Sequence, residues 1–257
     1  MAYRSYGSTI SYGFGGWGMT PTVKKLLIAN GMAYVLSVLA QAAGWGQPIR
    51  WLMLTPYEVI HHLAFWQLGT YLFLHAGFWH ILFNMFALWM FGCELERTWG
   101  AQRFLRYYLL TGIGAGLTVI LLNPSGVIPT VGASGAIYGV LLAYGVLFPE
   151  RIIFVPIFFI IFIPIPAKYL VMILGGIAFL SALSTPGDFV SHTAHLGGMV
   201  VGYLYLRGWP LYSRLYFTLR NRYYRWRRLR LQRQFEVYMH KHDSRDSKEQ
   251  RRGPWIH

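Results

Sequence analysis

The sequence predicts an all-α polytopic membrane protein, a six-transmembrane-helix bundle with a long interfacial first loop. Only 12% of its 257 residues are charged and 55% are hydrophobic, whereas soluble domains carry about 25% charged residues. The shortage is greater still over residues 22–207, because the charges concentrate at the C-terminus. A chain with so little polar surface is expected to fold in a bilayer.

Six apolar segments are long enough to be read as membrane helices. The connection over residues 44–74 is also apolar, but Pro48 and Pro56 interrupt it, and its many Trp and His residues suit the membrane interface. Residues 151–166 contain three prolines, which predict a hairpin or an interfacial loop rather than a span. The predicted helices cover residues 23–43, 77–95, 101–122, 132–149, 168–184 and 192–207.

The chain is predicted to have three parts: a flexible head (1–21), a six-helix membrane domain (22–208) and a basic tail (209–257). From residue 207 onward, fourteen Lys or Arg face four acidic residues, which accounts for +10 of the net charge of +14. The bias of Lys and Arg between alternate loops predicts that both termini are cytoplasmic and that helices two, four and six run inward. The tail is expected to lie on anionic lipid headgroups rather than to bind nucleic acid.

Four polar residues lie where the bilayer should be. His80 and Asn84 are on the second predicted helix, Ser134 is on the fourth and His195 is on the sixth. Each is within roughly two turns of the outer end of an inward-running helix, so all four share a shallow depth. Polar groups in lipid are costly and indicate function. Three helices therefore offer complementary groups at one level.

These four residues suit nucleophilic catalysis. A serine hydroxyl becomes a good nucleophile when a histidine takes its proton, which assigns Ser134 as nucleophile and His195 as general base. The developing negative oxygen needs fixed donors. His80 and Asn84, spaced i, i+4 on one helix face, supply two, and the Ser134 backbone N–H supplies a third. The sequence offers no acid to orient His195, so a dyad is predicted.

Neighbouring residues support this interpretation. Gly132 and Gly135 flank Ser134 and leave room for close approach, and Tyr138 lies one turn further on to pack against the His195 ring.

Two further glycines share a helix stripe with the predicted base. Gly198 and Gly202 follow His195 at i+3 and i+7, so we expect this stripe to pack tightly against the fourth helix and place His195 beside Ser134.

At this point the sequence resembles the rhomboid family of intramembrane serine proteases. The resemblance covers residues 66–202. Its motifs are HAGFWHILFN at residues 75–84, GASG at 132–135 with Tyr138, and AHLGG at 194–198 with Gly202. The order of the three motifs on inward-running helices is much more specific than any one of them.

The resemblance implies the same roles for Ser134, His195, His80 and Asn84, a stacking role for Tyr138, and a supporting place for His75. It also implies cleavage of transmembrane segments of other membrane proteins near their outer ends. The helix over 168–184 and the loop over 185–191 would act as gate and cap. One departure is visible, because the family's Trp-Arg pair is Trp66-Gln67 here.

Three other classes of function stay open. A non-catalytic rhomboid-like binder of membrane helices would keep the fold without a working dyad. A three-histidine metal site would use His75, His80 and His195. A channel or transporter would show inverted repeats, and none is evident. The favoured interpretation needs no cofactor or metal. It places the protein as multi-pass in a membrane, the plasma (inner) membrane if the source is bacterial, and assigns neither natural substrate nor oligomeric state.

Overall fold

A computed structural model describes residues 18–157, 161–184 and 192–250. The chain divides into two compact units, Met1–Leu206 and Arg207–His257. Most of the predicted flexible head and all of the predicted cap loop over 185–191 lie outside the described residues.

The first unit is mostly helical, and its secondary structure follows the predicted segments closely. Short helices fill the predicted interfacial loop, and its Trp45, Trp51 and Trp66 rings are exposed. The second membrane helix is continuous from Phe78 to Trp99, but one turn of π-helix, Leu88–Gly92, separates its two α-helical parts. In chain order the elements are α1 (Pro21–Ala42), α2 (Gly46–Arg50), α3 (Pro56–His61), α4 (Gln67–Thr70), a 3-10 turn (Tyr71–Phe73), α5 (Phe78–Ala87), α6 (Cys93–Trp99), α7 (Ala101–Leu122), α8 (Ser134–Leu147), β1 (Ile152–Ile157), β2 (Ile161–Pro166), α9 (Ala167–Ser184) and α10 (His192–Gln250).

Among the residues that the structure describes, three helices are long and apolar enough to cross a membrane, by length and composition: Pro21–Ala42, Phe78–Trp99 and Ala101–Leu122. The fourth and fifth predicted spans fold as the shorter apolar helices α8 and α9. The sixth forms the first turns of α10. The six predicted segments are all helical, and the count of six complete spans stays a prediction.

The structure corrects three details of the predicted architecture. The fold is not purely helical, because β1 and β2 pair as an antiparallel hairpin where a hairpin or loop was predicted. Prolines exclude a helix there, and Ile, Val and Phe favour strands. The last helix does not end at residue 207 but continues to Gln250, since Arg, Leu and Gln are good helix formers. Helix α8 begins at Ser134, after the non-helical Gly132.

Helices α7 and α8 pack closely through small residues. An ideal Cβ added to Gly139 would lie 2.7 Å from Thr111, and one added to Gly135 would lie 2.6 Å from the Ala115 side chain. The buried Tyr107 hydroxyl donates a 2.7 Å hydrogen bond to the Gly139 carbonyl oxygen. Such small-residue contacts let membrane helices approach without a cavity, and they fix the position of α8, and of Ser134 at its start, along α7.

A buried carboxylate holds the start of α1 against α6. Glu96 is 4% exposed and accepts hydrogen bonds from the backbone N–H groups of Thr22 and Val23, each at 2.9 Å, and from the Thr20 hydroxyl. The first N–H groups of a helix have no partner within the helix, so Glu96 caps α1 from a neighbouring helix.

Candidate active site

Ser134 is the first residue of α8, directly after a sharp turn in the chain. Gly132 in this turn has φ +121°, in the left-handed region that favours glycine. Its N–H donates a 2.9 Å hydrogen bond to the Tyr71 carbonyl oxygen, which ties the turn to the first loop. The turn leaves Ser134 at a helix N-terminus, the end of the dipole that favours negative charge.

The structure brings His195 and Ser134 together. The His195 Nε2 lies 2.8 Å from the Ser134 Oγ, within hydrogen-bond distance. The His195 ring is 5% exposed and stacks on Tyr138, with ring centroids 4.1 Å apart and planes 4° from parallel. Its Nδ1 is buried and has no hydrogen-bond partner within the described part of the chain. The pair thus has the geometry for proton transfer, with Tyr138 fixing the ring plane.

Glycines explain how α10 comes so close to α8. A Cβ on Gly198 would overlap the carbonyl oxygen of Gly135, and one on Gly202 would overlap the Tyr107 hydroxyl. Contact of α10 with the α8 backbone therefore requires hydrogen at position 198. Gly198 and Gly202 thus lie where α10 contacts α8 and Tyr107, as the predicted packing stripe requires.

His80 lies on the other side of the turn and presents a free donor. Its Nδ1 accepts a 3.3 Å hydrogen bond from the Ala76 N–H, which places the ring proton on Nε2. That Nε2 is buried without a partner among the described residues. An ideal Cβ on Gly132 would lie 2.8 Å from it and 3.6 Å from the Ser134 Oγ. The His80 N–H thus lies beside the Gly132 backbone, close to the serine.

Asn84 is placed one turn along α5 and is 7% exposed. Its amide NH2 donates a 2.7 Å hydrogen bond to the His80 carbonyl oxygen, on its own helix. The structure therefore does not bring Asn84 into hydrogen bonding with Ser134 or His195 within the described residues. A primary amide has two N–H groups, and this bond uses one of them.

His75 precedes α5 and packs edge-on against His80, with centroids 5.1 Å apart. Burial, and to a lesser degree the nearby His80, lowers the pKa of His75 to about 4. Over the ranges that the structure describes, no three His, Cys, Asp or Glu side chains gather as a metal site, so His75, His80 and His195 do not form the three-histidine cluster considered above.

One neighbour of the site was not assigned from the sequence. The ring of His192, the first residue of α10, lies edge-on to His195 with centroids 5.8 Å apart. The i, i+3 spacing of the two histidines was the available signal.

Gln67, at the family's Arg position, is fully buried. Its Oε1 accepts from the Thr55 N–H at 2.9 Å and its Nε2 donates to the Trp51 carbonyl oxygen at 3.2 Å. The neutral, buried amide of Gln67 thus links Trp51 and Thr55 within the first loop by hydrogen bonds.

The fold and site define a helical membrane protein with a partly buried serine–histidine pair of the kind that serine hydrolases use. Comparisons with known proteins agree. The family model described as the Rhomboid domain matches residues 62–213. The chain belongs to the rhomboid family, which is a family of serine proteases, and it is an integral membrane protein.

Individual relatives show the extent of the likeness. Rhomboid protease GlpG of Haemophilus influenzae is 30% identical over 173 residues, covering 66% of this chain and 83% of the relative. Rhomboid protein 1, mitochondrial, of Saccharomyces cerevisiae is 37% identical over 143 residues, which are 53% of this chain and 39% of the relative. Rhomboid protease GluP of Bacillus subtilis is 34% identical over 140 residues, 54% of this chain and 25% of the relative. The chain thus spans well under half the length of the last two.

Proposed function

We propose that this protein is an intramembrane serine endopeptidase that cleaves transmembrane segments of other membrane proteins near their outer ends. The observation that carries the proposal is the 2.8 Å approach of His195 Nε2 to Ser134 Oγ, with the imidazole stacked on Tyr138. Membership of a serine protease family supports the same reaction.

In the proposed reaction, the Ser134 Oγ attacks the carbonyl carbon of the scissile peptide bond while His195 Nε2 takes the hydroxyl proton. The C–N bond then breaks as His195 returns that proton to the leaving amine, which leaves an acyl ester on Ser134. A water molecule, deprotonated by the same nitrogen, hydrolyses the ester and restores the serine. For Nε2 to accept the proton, the ring hydrogen must reside on Nδ1. Stacking on Tyr138 and the tight α8–α10 packing hold the ring in place of a carboxylate.

The negative oxygen of the tetrahedral intermediate is assigned three donors. His80 offers a free Nε2–H beside Gly132. The Ser134 backbone N–H belongs to the unpaired first turn of α8. Asn84 contributes the amide N–H that does not bond to the His80 carbonyl. Donors fixed in advance are worth more than donors that must reorient during the reaction.

The proposed placement in the membrane follows from charge. Lys24, Lys25, Arg97, Arg151 and the basic tail over 209–257 fall on one side by the positive-inside rule. Both termini are then cytoplasmic, in the inner membrane if the source is bacterial, and Ser134 faces the outer side. The tail carries seven arginines between residues 220 and 233, which would bind anionic headgroups. The membrane domain is assigned to residues 22–208.

Cleavage of a model transmembrane substrate in detergent tests the proposal. Wild type, Ser134→Ala and His195→Ala are compared with two control variants, Ser37→Ala on α1 and His62→Ala at an exposed position. Cleavage should be lost in the first two variants and kept in both controls. Cleavage that survives Ser134→Ala would refute the mechanism. A folded wild type that binds the substrate without cleaving it would favour the alternative, a non-catalytic rhomboid-like protein that binds membrane helices.

A further inference from the structure

The hairpin formed by β1 and β2 has no polar side chain. Residues 152–166 are exclusively Ile, Phe, Val and Pro. The strands pair in antiparallel register from Ile152 opposite Pro166 to Ile157 opposite Ile161. A hairpin with one face in water alternates apolar and polar residues. This sequence has apolar residues on both faces, so neither face is suited to water.

The prolines of the hairpin occupy only outward-facing backbone positions. The Ala167 N–H donates a 2.9 Å bond to the Arg151 carbonyl oxygen, so the pair just before the hairpin is hydrogen-bonded. Hydrogen-bonded and non-hydrogen-bonded pairs alternate along antiparallel strands. The non-hydrogen-bonded pairs here are 152 with 166, 154 with 164 and 156 with 162, and these six residues direct their backbone N–H and C=O groups away from the partner strand. Three of the six have no N–H, because they are Pro156, Pro164 and Pro166.

Missing donors matter at a free edge. An unpaired N–H in hydrocarbon has no water to bond with, so each free N–H at a sheet edge is costly in lipid. The three prolines lower this cost because a proline nitrogen carries no hydrogen, while Ile152, Phe154 and Phe162 keep their outward N–H groups. The prolines also disfavour the addition of another strand, because a proline cannot donate to a new partner. The edge chemistry therefore disfavours another protein strand as the neighbour of this hairpin and lowers the cost of contact with lipid.

The hairpin also continues an apolar surface. One face packs on the core near the base of the hairpin, where Ile153 is 7% exposed. Ile163, further along the same face, is 43% exposed, and Phe154 on the opposite face is 41% exposed. Helix α8 has only 14 residues, about 21 Å, against a hydrocarbon layer of about 30 Å. The hairpin follows the end of α8 that is opposite Ser134. It leads directly into α9, whose Met172 and Ile177 are exposed.

Charged residues lie only at the base of the hairpin. Arg151 pairs with Glu94 at 2.7 Å, and Lys168 pairs with Glu150 at 2.6 Å. Cations next to an apolar segment are typical of the headgroup level. We propose that the β1–β2 hairpin is inserted in the bilayer, with the exposed face at Phe154 and the exposed Ile163 in contact with lipid acyl chains, in the leaflet opposite Ser134. The proposal requires a membrane-embedded chain and does not depend on proteolysis.

Site-directed spin labelling of the full chain in liposomes tests the insertion. Cys93 is the single cysteine and is buried, so a Cys93→Ala background permits one label at a time. The label is placed at Phe154→Cys and at Ile163→Cys. Ile177→Cys, on the exposed apolar face of α9, reports lipid, and Gln102→Cys, exposed at the start of α7, reports water. Relaxation by dissolved oxygen is compared with relaxation by a water-soluble nickel chelate.

Insertion predicts an oxygen-to-nickel accessibility ratio at both hairpin positions that is several-fold above that of Gln102→Cys and close to that of Ile177→Cys. A ratio equal to that of Gln102→Cys would place the hairpin in water and overturn the proposal. Low access to both reagents would mean that protein covers the hairpin, which would also overturn it. Two positions are labelled so that failure of one variant to fold leaves the other to decide.

Discussion

Replacing Gly198 with alanine tests how closely α10 must approach α8 for the site to work. The new Cβ would overlap the Gly135 carbonyl oxygen and lie 2.8 Å from its carbonyl carbon. Both atoms belong to the backbone of α8, so no side-chain rotation relieves the contact. A carbon–oxygen contact needs about 3.3 Å, and the helices must therefore separate by about 1 Å or more.

That separation acts directly on the dyad. The His195 Nε2 to Ser134 Oγ distance is 2.8 Å, and proton transfer requires about 2.6 to 3.2 Å. A misplacement of about 1 Å costs roughly 10²-fold in rate. We therefore expect kcat/KM for a transmembrane substrate to fall by about 10²-fold in Gly198→Ala.

Gly31→Ala is the matched control for this variant. An added Cβ at Gly31 has no atom within 4 Å, and alanine is the better helix former by about 1 kcal/mol. Activity should be unchanged in Gly31→Ala. Both variants are checked for folding by thermal denaturation in the same detergent. A folded Gly198→Ala protein with wild-type turnover would show that the α8–α10 approach does not set the geometry of the site.

Three other predictions concern the oxyanion donors, the helix cap and pH. Asn84→Ala should lower kcat by roughly 10²-fold, the effect of removing one oxyanion donor; an unchanged kcat would remove Asn84 from the site. Glu96→Ala should lower the free energy of unfolding by about 3 kcal/mol, because the start of α1 loses its hydrogen bonds to a charged acceptor. The control Glu150→Ala, at an exposed ion pair, should lower it by less than about 1 kcal/mol. Equal losses in the two variants would argue against the cap. Burial lowers the pKa of His75 from its ordinary value of 6.5 to about 4 in the folded protein. As pH falls, the unfolded chain therefore binds a proton on His75 before the folded chain does. The free energy of unfolding should then decrease between pH 6.5 and 4 by up to about 3 kcal/mol. His75→Gln should flatten that slope, and identical slopes would contradict the assignment.

A shared predicted depth drew attention to the candidate residues in the sequence. The predicted spans put Ser134, His195 and His80 on three helices at one level, and polar residues are rare enough in apolar segments for this coincidence to be visible. Glycine spacing predicted the approach of α10, because only a missing side chain permits such contact. The Gly198–Gly135 contact has this form.

Other features depend on tertiary structure that local patterns do not encode. The bond of Asn84 to its own helix reflects a side-chain rotamer, and the capping of α1 by Glu96 joins residues more than seventy positions apart. The hairpin was ambiguous because a short apolar run with prolines suits either a strand pair or a loop. The extension of α10 to Gln250 was missed because a change in polarity near residue 207 was interpreted as the end of a helix.

Reaction with a fluorophosphonate followed by intact-mass measurement and peptide mapping tests the central claim most directly. Such a reagent phosphonylates a serine that a base has activated: the serine oxygen bonds to phosphorus, fluoride leaves and the base takes the hydroxyl proton. The account predicts one adduct per chain, located on Ser134, absent in Ser134→Ala and strongly reduced in His195→Ala. A folded wild-type protein that gains no adduct, or one whose adduct persists in Ser134→Ala, would contradict it.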